Sequence, residues 1–560
     1  MPRTFSPQKL AVIVSIFLIV ASILGIALWE IFSDRIIETA FNGQSVPLVN
    51  KYVGIHKSID PANRTLEYFL QNGKPVVPRL LGLLIAAQLL LLAGMRYGRS
   101  IVSKFFSQAT HPINLGIFRI VLFAALIIYV DIPQVVQFSR FPAELRVAPF
   151  GIGWLINILP INPAWATVAS YLFIVACAGG ILGFFSRTSA TIAVILGFYV
   201  LGIPQFFGKI DHYHHLLWFA AILAASPCGD ALSLDSLIAA RNGKRSESLE
   251  PSAAYALPLK FVMLLMGIIY FFAGVWKFVI GGFGWATGDT MKYILYAQWF
   301  RLDWMPAFRI DQYPLLCRVA GLGVIFFELA FVFVLFFPRI RNVAAIGGIL
   351  FHFSVYLFAH INFWTLALCY VVFINFEPLH HLLSTGKQAT LESDLLNRCA
   401  KGASASGGQS KIVNRNSGTL FVGALLLSIN ILCGLALVDS WPFAVYPTFA
   451  TVQEKYLQSL TISLLNPDGT TTEIIPYKER SLQSKMHPSR LIGLFTQVLW
   501  AKDSTEVKTR GTALLEVLAE DDVRLRQAKS IQIFKDICSV IPEEQNKNPV
   551  RRELLLNVER

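Results

Sequence analysis

The sequence predicts an all-α polytopic membrane helix bundle of about 10–11 transmembrane helices, with a small exported α+β C-terminal domain. Two observations predict the bundle. The 560 residues are 54% hydrophobic and only 15% charged, far too apolar for a soluble chain of this length. The apolar residues are also grouped into runs of about 20, the length a helix needs to cross the hydrocarbon core. A third observation predicts the appended domain. After Asp439 the composition turns charged and no further run of that length occurs.

The runs fall at 10–30, 79–95, 113–131, 164–185, 188–204, 212–228, 258–280, 316–337, 343–359, 361–376 and 418–438. The first follows Arg3 and Lys9 as a signal peptide would. It has no small-x-small cleavage site and is long enough to span, so it is expected to stay as an anchor. The two pieces beside His360 are short and can form one bent or re-entrant element. With the N-terminus cytoplasmic, alternation sends each basic loop inward. Those loops carry Arg96, Arg99 and Lys104, then Arg187, then Arg241, Lys244 and Arg245, then Arg339 and Arg341, and finally Lys387, Arg398, Lys401, Lys411 and Arg415. Topology therefore accounts for the net charge of +13, and the expected partner is the lipid bilayer, with no nucleic acid.

Five segments follow. Residues 1–109 are an N-terminal extension with two transmembrane helices and an outer loop, and 110–380 are the main membrane domain. Residues 381–417, with KGASASGGQSK, are a cytoplasmic linker, 418–440 the last transmembrane helix, and 441–560 the exported domain. That domain would lie on the periplasmic, extracellular or lumenal side. In it, LTISLLNPDGTTTEIIP reads as a β-hairpin around a Pro-Asp-Gly turn. SRLIGLFTQVLWA and GTALLEVLAE have helical spacing, and KSIQIFKDICSVIP alternates as a strand. Six of the seven cysteines lie in or beside the membrane region and no CxxC pair occurs, so neither a disulfide framework nor a zinc site is expected.

Topology concentrates ionisable residues near the outer face. Lys277 sits close to the outer end of its run, in YFFAGVWKFVIGGFGWATGD. DHYHHLLW opens the preceding run on the same side, which puts Asp211, His212, His214 and His215 at a similar depth. On a helix, His212 and His215 share a face. His360 lies at an outer bend. Glu328 and His352 fall inside later runs, where they can line a pocket, pair with each other or serve as packing contacts. Trp285 and Asp289 lie just beyond the Lys277 run, Trp285 as an interfacial anchor or a pocket wall. Lys277 has two readings, snorkelling to the headgroups or burial as a base. Arg119 is expected to hold helices together. A histidine-box metal site would need His380 and His381 to join HYHH across the membrane, so no metal is expected.

The blocks DHYHHLLWFAAILAASPCGDALSLD, YFFAGVWKFVIGGFGWATGD and FELAFVFVLFFPRIRNVAAIGGILFHFSVYLFAHINFW resemble the HTTM domain, the membrane domain shared with vitamin K-dependent gamma-carboxylase. The resemblance covers about 110–380, and WPFAVYPTFA looks like the exit sequence of bacterial HTTM proteins. It implies a lyase-type carboxylation in which the lysine of the AG-x-x-K block, here Lys277, deprotonates reduced vitamin K or another menaquinol-type quinol. O2 and CO2 are the co-substrates it implies. Oxygen turns the quinol anion into a base that removes a glutamyl γ-proton before CO2 adds. The assisting histidine falls on His212, or on His215 if the register slips. Trp285, Asp289, Glu328, His352 and His360 are the candidate substrate and quinol contacts, and an exported peptide or protein is the candidate co-substrate. Residues 1–100 lie outside the resemblance, and 441–560 do not resemble the lumenal region of the carboxylase. The alternative is a non-catalytic membrane scaffold or assembly factor whose exported domain binds a partner. A transporter is disfavoured because the charges gather at one face and not at the midplane.

Overall fold

The computed structural model describes residues 7–44, 49–50, 53, 65–94, 99–242, 250–379, 408–444, 449–475, 479, 488–545 and 548–559. His380, His381, most of the expected linker and most of 45–64 lie outside the described residues. Among the described residues, nine helices are long and apolar enough to cross a membrane, as fits a multi-pass membrane protein. They contain α1 (Pro7–Phe41), α2 (Val76–Ala93), α3 (Pro112–Tyr129), α4 (Pro163–Leu182) and α5 (Ser186–Val200). After a short α6 (His214–Ala224) come α7 (Ala253–Gly281), α8 (Pro314–Val334), α9 (Pro338–Ala359) and α10 (Gly408–Leu435).

Helix α7 is the axle of the bundle. It is apolar around its whole circumference and touches α2, α3, α6, α8 and α10, so nearly all of it is buried. Small residues set those contacts. Gly423 and Gly434 of α10 receive the rings of Phe261 and Phe272 from α7. The far end of α7 is capped by Arg79, which donates to the carbonyls of Ile280 at 3.0 Å and Val279 at 3.4 Å. Buried Arg119 of α3 donates to the carbonyls of Cys228, Ala231 and Leu232, which ties α3 to the loop after α6. That matches its expected structural role.

Two of the expected runs are too short to span. Helix α6 has 11 residues, about 16 Å of rise, and nearly all of it is buried inside the bundle. The piece after His360 is a short helical segment, Trp364–Phe373. Helix α6 is greasy because it packs against protein on nearly every side, and the second piece because it buries one face while Trp364 and Leu368 stay exposed; a hydropathy window does not separate such burial from lipid exposure.

The C-terminal residues form a four-stranded antiparallel sheet of order β2-β1-β3-β4. Strands β1 (Tyr456–Leu465) and β2 (Thr471–Ile474) make the expected hairpin. Its turn closes through Asn466 N–H to the Thr470 carbonyl at 2.8 Å, with Gly469 at φ +87°. Strand β3 (Ser530–Ser539) is the expected alternating strand, and β4 (Arg551–Glu559) adds an edge. Helices α11 (Pro488–Leu499) and α12 (Ser504–Asp521) complete the α+β unit.

This unit is fastened to the bundle by one side chain above all. Buried Arg490 of α11 pairs with Asp211 and donates to the carbonyls of Pro204 and Lys209, each at 3.1 Å. The backbones meet at Gly208 (φ +81°) and Gly493; a Cβ on Gly208 would collide with the Gly493 carbonyl. Burial works to raise the Asp211 carboxyl, but Arg490, then Lys209 and His212, outweigh it and hold it down at about 2. A depressed carboxyl stabilises the fold above its unfolded value near 4, and that contribution is lost as pH falls through about 2. The Asp211 contribution to docking is therefore expected to be flat from neutral pH to about pH 4, then to weaken by about 2 kcal/mol on further acidification. Hydrogen exchange at α11 reads this directly. Asp211→Asn should weaken docking at neutral pH and remove the acid transition; an unchanged transition would assign it to another group.

Candidate functional site

Lys277 lies one turn from the end of α7 and is 3% exposed. Its Nζ donates to both carboxylate oxygens of Glu328 on α8, at 2.8 and 2.9 Å. Glu328 is equally buried. The approach is possible because position 274 is glycine. A Cβ there would stand 2.9 Å from the Glu328 Cβ and 3.1 Å from the Leu329 nitrogen. Lys277 thus does not snorkel; its ammonium turns inward to a carboxylate.

The pair sits in the wall of a cavity of about 570 Å³ between α7, α8 and α9. Trp285, buried in the turn after α7, also lines it, with its ring centroid 5.5 Å from the Lys277 Nζ. The indole N–H donates to the Phe449 carbonyl at 2.9 Å, and Phe449 brings the segment leading into the C-terminal unit onto the same cavity. The rest of the lining is mainly aliphatic and aromatic, including Phe327, Phe351, Phe358 and Phe363.

A second polar group lies deeper. Tyr270 is seven residues before Lys277, on the same face of α7. Its hydroxyl is 2.5 Å from His352 Nε2, and Tyr370 donates to the Tyr270 hydroxyl oxygen at 2.9 Å. Glu328 and His352 therefore do not pair with each other. Each reaches across to α7, because α8 and α9 present them at different depths.

The histidine cluster separates. Helix α6 begins at His214, so His212 precedes it and the two residues do not share a helical face; both His212 and His215 nevertheless line the cavity. His214 points elsewhere, with Nε2 2.8 Å from the Ser440 carbonyl and its ring 4.8 Å from Trp441. Asp211 belongs to the Arg490 contact. His360 and Asp289 are not brought to the cavity. His360 ends α9 at φ +52°, exposed, with its ring beside Tyr356 and Trp304. Asp289 has a 63% exposed side chain beside Lys292, at the start of the next helix. Among the described residues no group of three His, Cys, Asp or Glu side chains is placed to hold a metal ion.

Sequence reasoning missed Tyr270, Tyr370 and Phe449. Tyr270 carried a usable signal, two helical turns from Lys277. Tyr370 and Phe449 carried none.

The class this geometry defines is a multi-pass membrane bundle with a lysine–carboxylate pair set in the wall of an apolar cavity. Residues 107–378 match the family described as the HTTM domain, so this stretch, just under half of the chain, is an HTTM domain. No curated protein and no solved structure matches it. Apart from Phe449, every cavity residue named above lies within the matched stretch.

A buried pair is stable only as a pair. Lys277→Met or Glu328→Leu alone should cost about 3–5 kcal/mol, because each strands one charge in an apolar wall. The double variant should recover most of that loss. Equilibrium unfolding in detergent measures all three, and strictly additive losses would show that the two side chains do not depend on each other.

Proposed function

We propose that the chain is a quinol-dependent, carboxylase-like membrane enzyme in which Lys277 is the base. The observation that carries the proposal is the Lys277–Glu328 pair in the cavity wall beside Trp285. The volume lies within the range of small-molecule sites, about 300–1,000 Å³, and the aromatic lining suits a flat ring with a hydrocarbon tail. Reduced vitamin K or another menaquinol-type quinol would be held by Lys277, Glu328 and Trp285, with His212 and His215 on the same wall. When bound, such a quinol supplies an aromatic hydroxyl whose deprotonation opens its reaction with O2.

The residues of the chain make that deprotonation possible. A proton passing from Lys277 Nζ to the Glu328 carboxylate leaves two neutral groups, which relieves the desolvation of both charges together. The free amine then accepts the hydroxyl proton, and the face of Trp285 favours the ammonium that re-forms. The apolar lining keeps water from competing for that proton. His212 is the assisting group, with His215 beside it.

The acceptor would be an exported acidic peptide or protein, carboxylated with CO2. Its approach would use the cleft of about 280 Å³ between the C-terminal unit and the end of α7, which Arg79 and Arg301 line. On this reading the C-terminal unit, and with it the cavity mouth, lies on the exported side.

The deciding experiment compares purified wild type with Lys277→Ala in nanodiscs. Saturable menaquinol binding, with oxygen-dependent quinol turnover falling at least about 100-fold in folded Lys277→Ala, is the expected result. Full turnover by the variant would end the catalytic proposal. Absence of both binding and turnover in folded wild type would favour a scaffold.

A further inference from the structure

We infer that His352 is a second ligand contact in this cavity, an N–H donor for the ring oxygen opposite the one that faces Lys277. The inference rests on the quinol reading above and gives His352, one of the contacts expected from the sequence, a specific role.

With Tyr370 as the donor to Tyr270, the hydrogen-bond chain selects one tautomer. Tyr370 donates to the Tyr270 oxygen at 2.9 Å, and the single Tyr270 proton then goes to His352 Nε2 at 2.5 Å. A ring nitrogen that accepts carries no proton, so in the neutral imidazole the proton sits on Nδ1. Nδ1 is buried and has no hydrogen-bond partner among the described residues. An unpaired buried N–H is costly, and here two tyrosines hold the ring in the state that leaves it unpaired. Rings dominate around it, Phe351 at 5.4 Å and Phe363 at 5.8 Å between centroids, and they offer no acceptor oxygen. His352 itself lines the cavity. A ligand oxygen is the acceptor this arrangement suits.

Spacing gives the ligand its shape. Tyr270 and Lys277 are two turns apart on α7, about 10.5 Å along the axis. Side chains reaching inward from both levels leave an interval suited to one aromatic ring with oxygens on opposite sides. A ring with a single oxygen satisfies only one level. Tyr270 and Tyr370 are positioning residues in this scheme; His352 touches the ligand.

The test uses the full chain in nanodiscs and two probes, menadiol with two ring hydroxyls and a methylnaphthol with one. Wild type is expected to prefer menadiol about tenfold in Kd, the worth of one good hydrogen bond. His352→Leu should bring that ratio close to one, His352→Gln, which keeps an N–H donor, should hold part of it, and Tyr270→Phe should shrink it. Infrared spectra of bound menadione add a readout that packing does not move: one carbonyl stretch lowered in wild type and restored in His352→Leu. Where His352→Leu does not fold, His352→Gln and Tyr270→Phe with the infrared shift decide the matter. An unchanged ratio and unchanged carbonyl bands overturn the role of His352 while Lys277 keeps its own. A folded wild type that binds neither probe removes both readings.

Discussion

Two opposite charges meeting inside an apolar bundle set the terms for everything around them. Each ion loses several kcal/mol of hydration on burial, and only close, well-aimed contact returns it. Lys277 and Glu328 achieve that contact with a two-pronged hydrogen bond, and the geometry fixes how near α7 and α8 must lie. Gly274 is what permits that distance. Once the two helices are held there, α9 cannot also close on both, and the space left between the three is the cavity. Trp285 then covers the ammonium from the end of α7.

A second set of contacts holds the chain after α10 where it runs. Ring N–H groups of the membrane domain take up the backbone carbonyls of the exit segment one after another. Trp276 donates to the Gly434 carbonyl, Trp218 to Pro442 and Trp285 to Phe449, and His214 contacts Ser440. Trp441 returns the favour to Phe198. The described residues of this segment, 441–444 and 449–450, thus form a seam that joins the C-terminal unit to the end of the bundle where Lys277 lies. Arg490, locked into 204–211, fixes the other side of that unit.

How much of this could be read from the sequence depends on what each inference required. Long apolar runs need only composition, and the hairpin needs only a Pro-Asp-Gly turn between β-formers; both were legible. Counting eleven crossings led to the expectation that Lys277, His212 and His215 gather at one level; two of those crossings are too short to span, yet the three residues do line one cavity. The partner of Lys277 was not legible, because it depends on the relative depth of two helices, which no local pattern encodes. His360 and Asp289 looked equivalent to their neighbours in position along the chain, yet a left-handed helix end and an exposed helix start turn them outward. Strand β4 escaped notice because RRELLLNVE breaks strict alternation, with a register shift at Ile533/Phe534 opposite it.

Stability alone would not build this site. An apolar pair of similar volume in place of Lys277 and Glu328 would pack the same helices without paying to desolvate two ions. A buried donor on His352, held by a tyrosine pair, is likewise a cost that a pure packing core avoids. Both costs fall on the walls of one cavity, and the remainder of that lining is mainly apolar. Two such costs on the walls of one mainly apolar cavity are what a ligand site would carry, and they favour that reading. A scaffold that worked only through its C-terminal unit would have no use for these groups at that depth.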